Sequence, residues 1–344
     1  MIPLLARSSP AHRSSVGRGG PASSHGTSWV GFTLDAVLHA YSQVIFARSR
    51  WIGLLLFLAS FIVPEVGLVG LMGVLISGGL AMLLQLDREA VRSGVLGYNA
   101  LLVFLGIGAL FAHTPAFWAL AAATTLLVVL THVALAGVLA RLRLPVLSVP
   151  FVLTLWLVIS AVPHIRGLAF INHHPALDLG AFPGPVFIDG FLRSLGAIFF
   201  QPHWTAGVLV FAALFTYSRV ATVHALIGFA VAMVADTWLL TFPPDVFHVY
   251  VGFNIVLTSV ALGGIFYVPS PSSLALSAAG ALVAALVSVG VLAALQPLGL
   301  PVLAAPLNLV VLLTLYALAL RTRASRPRVV DFVQGSPEQN LAWF

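Results

Sequence analysis

Between residues 53 and 321 the chain is a succession of apolar segments parted by short polar punctuation. A helix that crosses a bilayer needs about 20 apolar residues. Segments of that kind lie near 66–86, 94–112, 116–140, 144–164, 221–241, 251–268, 272–296 and 300–321, with shorter ones at 53–64 and 207–218. Pro64–Glu65, His113–Pro115 and Arg141–Arg143 mark three of the boundaries. Charged residues make up only 8% of the chain, against about 25% in a soluble domain. That is too little charge to clothe a water-facing surface, and too much apolar residue for disorder. The pattern predicts an all-α polytopic membrane protein with ten transmembrane helices.

Two amphipathic stretches precede the two sets of five segments, Ala40–Ala47 and Leu195–Gln201. Each is too short to cross. Irregular backbone at membrane depth is tolerated only where protein or a water-filled path satisfies it, so both read as half-crossing tilted segments, starting near Gln43 and Ala197. A longer, more polar stretch, 165–191, reads as an external linker between a first repeat at 29–164 and a second at 192–321. Residues 1–28 and 322–344 read as polar cytoplasmic tails. An Arg- and Ser-rich, acid-poor start is also compatible with a transit peptide.

Arginine sets the orientation. The positive residues are 16 Arg with no Lys, and they give a net charge of +6. With a cytoplasmic N-terminus and ten crossings, fourteen of them fall inside and only Arg166 and Arg193 outside. This is the cytoplasmic bias of an inner, or plasma, membrane protein, and the basic excess needs no nucleic acid. The absence of Cys removes disulfides and thiolate chemistry. No His-Glu-x-x-His, Gly-x-Ser-x-Gly or paired carboxylate is present, which argues against an enzyme, and no cofactor motif appears. His173–His174 lacks a third ligand, so no metal site is expected. Asp87, Arg88 and Glu89 read as a solvated inner loop with local ion pairs. Asp236 reads as interfacial, and His224 as packing or a helix-to-helix hydrogen bond.

The two sets of five repeat each other. Gly97-Tyr98-Asn99 matches Gly252-Phe253-Asn254 at an offset of 155, and Leu144-Pro145-Val146-Leu147 matches Leu300-Pro301-Val302-Leu303 at an offset of 156. Gln43 to Phe46 pairs with Ala197 to Phe200 at an offset of 154. Five is odd, so the copies would enter the membrane from opposite sides, an inverted 5+5 repeat whose solute path lies at the repeat interface.

These residues are similar to the urea transporter family. Its Leu-Pro-x-x-Thr-x-Pro-Phe signature resembles Leu144-Pro145-Val146-Leu147-Ser148-Val149-Pro150-Phe151, with a second copy at Leu300 to Leu307. Further likeness lies in Asp87-Arg88 with Ser93-Gly94, His224-Ala225-Leu226-Ile227-Gly228, and Gln43-Val44-Ile45-Phe46, so that it covers roughly 38–321. The resemblance implies a homotrimer in the lipid bilayer, with a passive pore in each subunit. Urea would pass through a flat aromatic slot edged by oxygen atoms.

Carried over residue by residue, the resemblance places Gln43, Phe46, Leu96 and Ser148 on the first half of the path, and Ala197, Phe200, Val251 and Ala304 on the second. Asn99 and Asn254, with Pro145 and Pro301, are expected to hold helix breaks. The second half departs from the family pattern. There Ala197 stands where Gln or Glu is usual, Ala304 where Thr is usual and Val251 where an aromatic wall is usual; in the first half Leu96 likewise replaces an aromatic wall. The functional expectation is passive transport of urea or a close amide; the alternatives are another small neutral solute, or a non-conducting sensor or scaffold. On residue chemistry alone, Gln43 could instead bond backbone inside the bundle, and Ser148 could bond a carbonyl of its own helix.

Overall fold

The computed structural model describes residues 28–171, 180–241, 251–321, 327–330 and 335–342. The His173–His174 pair and the first tail, apart from Ser28, lie outside them. Among the described residues the chain is helical, with two isolated bridges, Phe111 to Phe170 and Tyr267 to Val329.

The first set comprises α1 (Trp29–Gln43), α2 (Arg50–Ser60), α3 (Pro64–Leu83), α4 (Arg88–Arg92), α5 (Tyr98–Leu110), α6 (Pro115–Arg141) and α7 (Val149–Ala161). The second comprises α8 (Val186–Ala197), α9 (Trp204–Tyr217), α10 (Arg219–Trp238), α11 (Gly252–Val260), α12 (Pro271–Leu295) and α13 (Ala305–Ala319), and a short α14 (Pro337–Ala342) follows. Four helices are long and apolar enough to cross a membrane: α3, α6, α10, and α12 with its extension to Leu298. Six shorter apolar helices accompany them.

Local chemistry sets the helix ends. The Ser28 hydroxyl accepts from Gly31 N–H at the start of α1, and Thr114 does the same for Phe117 at the start of α6. Ser270 and Ser273 form a reciprocal cap at the start of α12. Proline opens α3, α6 and α12, where its missing N–H costs nothing.

Corresponding helices pack alike. α1 lies on α2 and α8 on α9; α3 lies on α5 and α10 on α11; α6 lies on α7 and α12 on α13. The two sets also meet where α2 packs on α9. At Gly53 a Cβ would stand 1.9 Å from the Leu38 carbonyl oxygen, and at Gly207 one would stand 2.0 Å from that of Leu192. Only glycine lets these helix pairs approach so closely.

Three sequence expectations about the helices need correction. The amphipathic stretches near Gln43 and Ala197 do not start new segments; they end two longer helices, α1 and α8. α1 escaped notice because it carries Asp35, which is buried. That carboxylate is neutralised from later parts of the chain, by Arg50 and by Arg92 Nε at 3.0 Å. The segment expected at 144–164 becomes helical only at Val149, because the chain turns at 144–148 with Leu147 at positive φ.

The stretch Asp87–Glu89 is the start of a short helix rather than a loop. Asp87 caps it through Glu89 N–H, Glu89 pairs with Arg48, and Arg88 lies over the Trp29 and Phe32 rings. His224 makes a helix-to-helix bond with the Ser277 hydroxyl at 2.9 Å. Its ring sits where any Cβ on Gly263 would be, 2.1 Å from Nδ1. Apolar side chains stay exposed along α6 and α12, for example Leu126, Leu130, Leu282 and Leu286.

Candidate functional site

The site begins with backbone that L-residues rarely adopt. Phe46 and Phe200 have φ of 65° and 57°, and Leu147 and Leu303 have φ of 46° and 50°. A left-handed non-glycine residue costs about 1–2 kcal/mol, and such strain concentrates at functional sites. Of the six non-glycine residues at positive φ among the described residues, these four form two matched pairs, and all four line one cavity.

At Phe46 the strain ends α1. Phe46 N–H donates to Gln43 O at 3.0 Å and Ala47 N–H to Ser42 O at 3.0 Å. At Phe200 the same two bonds recur, to Ala197 O at 3.0 Å and from Gln201 N–H to Gly196 O at 3.1 Å. At Leu147 and Leu303 the strain opens a turn before α7 and α13, and an asparagine satisfies the freed peptides. Asn99 Nδ2 donates to Leu147 O at 3.1 Å, and its Oδ1 accepts from Phe151 N–H at 3.0 Å. Asn254 Nδ2 donates to Leu303 O at 2.7 Å, and its Oδ1 accepts from Leu307 N–H at 3.1 Å. Both asparagines are wholly buried. In hydrocarbon no water is at hand to satisfy the opened peptides, so side chains must.

The cavity these breaks enclose has a volume of about 1560 Å³. Gln43, Phe46, Leu96, Ser148, Ala197, Phe200, Ala304, Pro145 and Pro301 all line it. Val251 does not; it is fully buried, and Phe253 and Leu257 stand in the wall instead. Asn99 and Asn254 lie behind the wall as supports. Phe46 meets Phe266 edge-on with centroids 5.8 Å apart, and Phe200 meets Phe151 edge-on at 6.0 Å. Asp87 and Arg143 are the acid and the arginine in the wall.

Polarity is unequal between the halves. Gln43 Nε2 donates to Ser93 O at 3.1 Å, which ties the amide nitrogen to backbone; Oε1 has no hydrogen-bond donor among the described residues. Near the first break, Tyr98 donates its hydroxyl to Leu147 O, and His132 Nδ1 accepts from Asn99 Nδ2 at 3.2 Å. The matching residues of the second set are Phe253 and Ser288, and Ser288 bonds its own helix at Ala284 O. Gln201 crosses between sets: Oε1 accepts from Val63 N–H at 3.1 Å, and Nε2 donates to Ser60 O at 2.9 Å. It thereby satisfies the break between α2 and α3. Tyr98, His132, Gln201 and Asn308 were missed by sequence reasoning. Tyr98, Gln201 and Asn308 are places where one copy carries a polar residue and the other carries Phe253, Ala47 or Val152, and that mismatch is the signal that could have found them.

A sequence profile described as the urea transporter family matches residues 34–319. This chain belongs to the urea transporter family. Among its relatives, Urea transporter 1 of Mus musculus is 29% identical over 246 residues, which is 68% of this chain and 63% of that protein. Urea transporter 1 of Ovis aries is 28% identical over 294 residues, 82% of this chain and 76% of that one. The chain therefore spans somewhat less than two thirds of the mouse relative. The urea transporter family is one of transporters rather than enzymes, and its membership accords with a multi-pass membrane protein built of apolar helices.

The last described residues lie outside the family match. Val330 N–H donates to Phe266 O at 3.0 Å, and Val268 N–H donates to Arg328 O at 2.9 Å, so Val329 and Val330 complete the cavity wall beside Phe46. Tyr217 offers its hydroxyl to both Phe46 O at 3.3 Å and Gly335 O at 3.2 Å. Glu338 accepts from Val220 N–H at 2.9 Å at the start of α10.

Proposed function

We propose that this chain is a passive, channel-like path for urea or a closely related small neutral amide, with the cavity as its route. One observation carries the reading: the family match at 34–319 contains every cavity wall residue except Val329 and Val330. Urea is flat, uncharged and rich in N–H. Removing its water without replacement costs several kcal/mol. Gln43 Oε1, the Ser148 hydroxyl and turn carbonyls supply acceptors, while Phe46 and Phe200 supply flat walls.

The architecture we propose has ten spans in an inverted repeat, with α1 and α8 as half-crossing helices. The four long and six shorter apolar helices, the paired left-handed turns, the paired asparagines and the α2–α9 contact all support it. The exposed apolar faces of α6 and α12 leave room for lipid and for a homotrimer. Fourteen of 16 Arg on one side support cytoplasmic termini in an inner membrane.

Ala197 and Ala304 favour a second reading, passage of a less polar small solute, because missing acceptors weaken rejection of such analogues. Proteoliposome shrinkage under gradients of urea, acetamide, formamide and glycerol separates the two. The first reading expects urea to cross faster than in empty vesicles and faster than glycerol. Urea permeability equal to that of empty vesicles would overturn it.

A further inference from the structure

Asn308 lies on α13 of the second set, buried and 160 residues from Ser148, yet the two are bonded. Its Oδ1 accepts from Ser148 N–H at 3.1 Å and from Ser148 Oγ at 3.1 Å. The backbone N–H can only donate, so the amide atom facing it must be the oxygen. That oxygen carries no proton, so the serine hydroxyl must donate its single one. Ser148 Oγ is left with lone pairs alone, at a cavity wall.

Packing alone does not explain an asparagine here. The matching position of the first set is Val152, and Asn308 Nδ2 is buried with no hydrogen-bond partner among the described residues. An unsatisfied buried donor is destabilising, so the oxygen's contact is what its presence accomplishes.

We infer that Asn308 is a positioning residue that fixes the Ser148 hydroxyl as an acceptor-only group, so that this point of the path prefers solutes presenting N–H. The inference rests on the proposed route through the cavity. A serine free to rotate could donate or accept, and would discriminate less between urea and an analogue that lacks an N–H.

The test is the ratio of urea to methylurea flux through proteoliposomes at matched protein density, for wild type, N308L, S148A, the double variant and N308D. Leucine keeps the shape of asparagine without its oxygen. N308L is expected to lower the ratio by about 2- to 13-fold, the worth of one neutral hydrogen bond felt at the barrier. S148A should lower it equally, and N308L should add nothing in the S148A background. N308D, which keeps an oxygen at the same place, should retain most of the wild-type ratio. If N308L fails to assemble, N308V replaces it.

An unchanged ratio in N308L, or an equal further drop in the S148A background, overturns the inference, since a merely structural asparagine would act in both backgrounds. Wild type without urea flux overturns the route itself, and this is read before any variant.

Discussion

Ser148 and Ala304 occupy the same backbone, with φ and ψ of −92° and 22° in one and −91° and 21° in the other. The turns before them are alike, and an asparagine secures each through the same two bonds. Their surroundings differ. The first break has Tyr98, His132, the Ser148 hydroxyl and a partner from the opposite set in Asn308. The second has Phe253 and Ala304. Backbone architecture and side-chain polarity are therefore separable here. The architecture is held from behind by asparagine and glycine, so the wall facing the cavity can lose its oxygens with no change of fold.

The most damaging way to probe that separation is at the supports. Asn254→Ala strands the buried Leu303 carbonyl and the Leu307 N–H, while Asn99→Ala strands the Phe151 N–H and the His132 acceptor but leaves Leu147 O with the Tyr98 hydroxyl. At about 1–3 kcal/mol per unsatisfied group, each variant should lose about 2–6 kcal/mol. Thermal unfolding in detergent should find both losses large and of similar size, two stranded groups in each. A negligible loss at either would break the claim that the two turns are supported alike.

Gly53→Ala and Gly207→Ala come next. Each sets a methyl against a helix carbonyl that cannot move aside, so each should cost about 1–3 kcal/mol. Similar shifts in the same unfolding assay sharpen the comparison, and a shift in only one breaks it.

Restoring the family pattern in the second set tests the other side. Ala197→Gln with Ala304→Thr should raise the ratio of urea to acetamide flux about 2- to 13-fold, with unfolding temperature little altered. A constant ratio would mean that these positions do not meet the solute.

The smallest effect concerns the C-terminal segment, which has no counterpart in the first set. Burial works to raise the Glu338 carboxyl, but the Val220 N–H and the Ser218 hydroxyl outweigh it and hold the group below the usual carboxylate range. A depressed folded value contributes docking strength above the unfolded value of about 4.3. That strength is lost as pH falls through the folded value. Protease cleavage around 335–342 should therefore rise below about pH 4, and Glu338→Gln should flatten the rise. An unchanged profile in Glu338→Gln would show that another group controls docking.

What the chain disclosed by itself follows from where each partner lies. The apolar segments were legible because lipid imposes a local, one-dimensional constraint, and Leu144-Pro145 and Leu300-Pro301 were legible because proline punctuates locally. α1 was not, because Asp35 argues against a membrane helix until Arg50 and Arg92 are seen beside it. Gln201 and Asn308 were not, because they bond residues 138 to 160 positions away. The resemblance expects Val251 on the cavity wall, but the second wall is built from Phe253 and Leu257, two and six residues further along, because the side chains that meet the cavity are set by how the segment packs in the bundle.

The central claim is that, of the two matched breaks on the proposed route, the first carries the side-chain oxygen that faces the cavity and the second does not. Its most direct test is urea flux through Ser148→Ala beside Ala304→Ser, in proteoliposomes at matched protein density. The account predicts that Ser148→Ala lowers flux by about 2- to 13-fold, while Ala304→Ser changes it less. Equal flux in Ser148→Ala and wild type would contradict the account, and would assign the solute to backbone carbonyls alone.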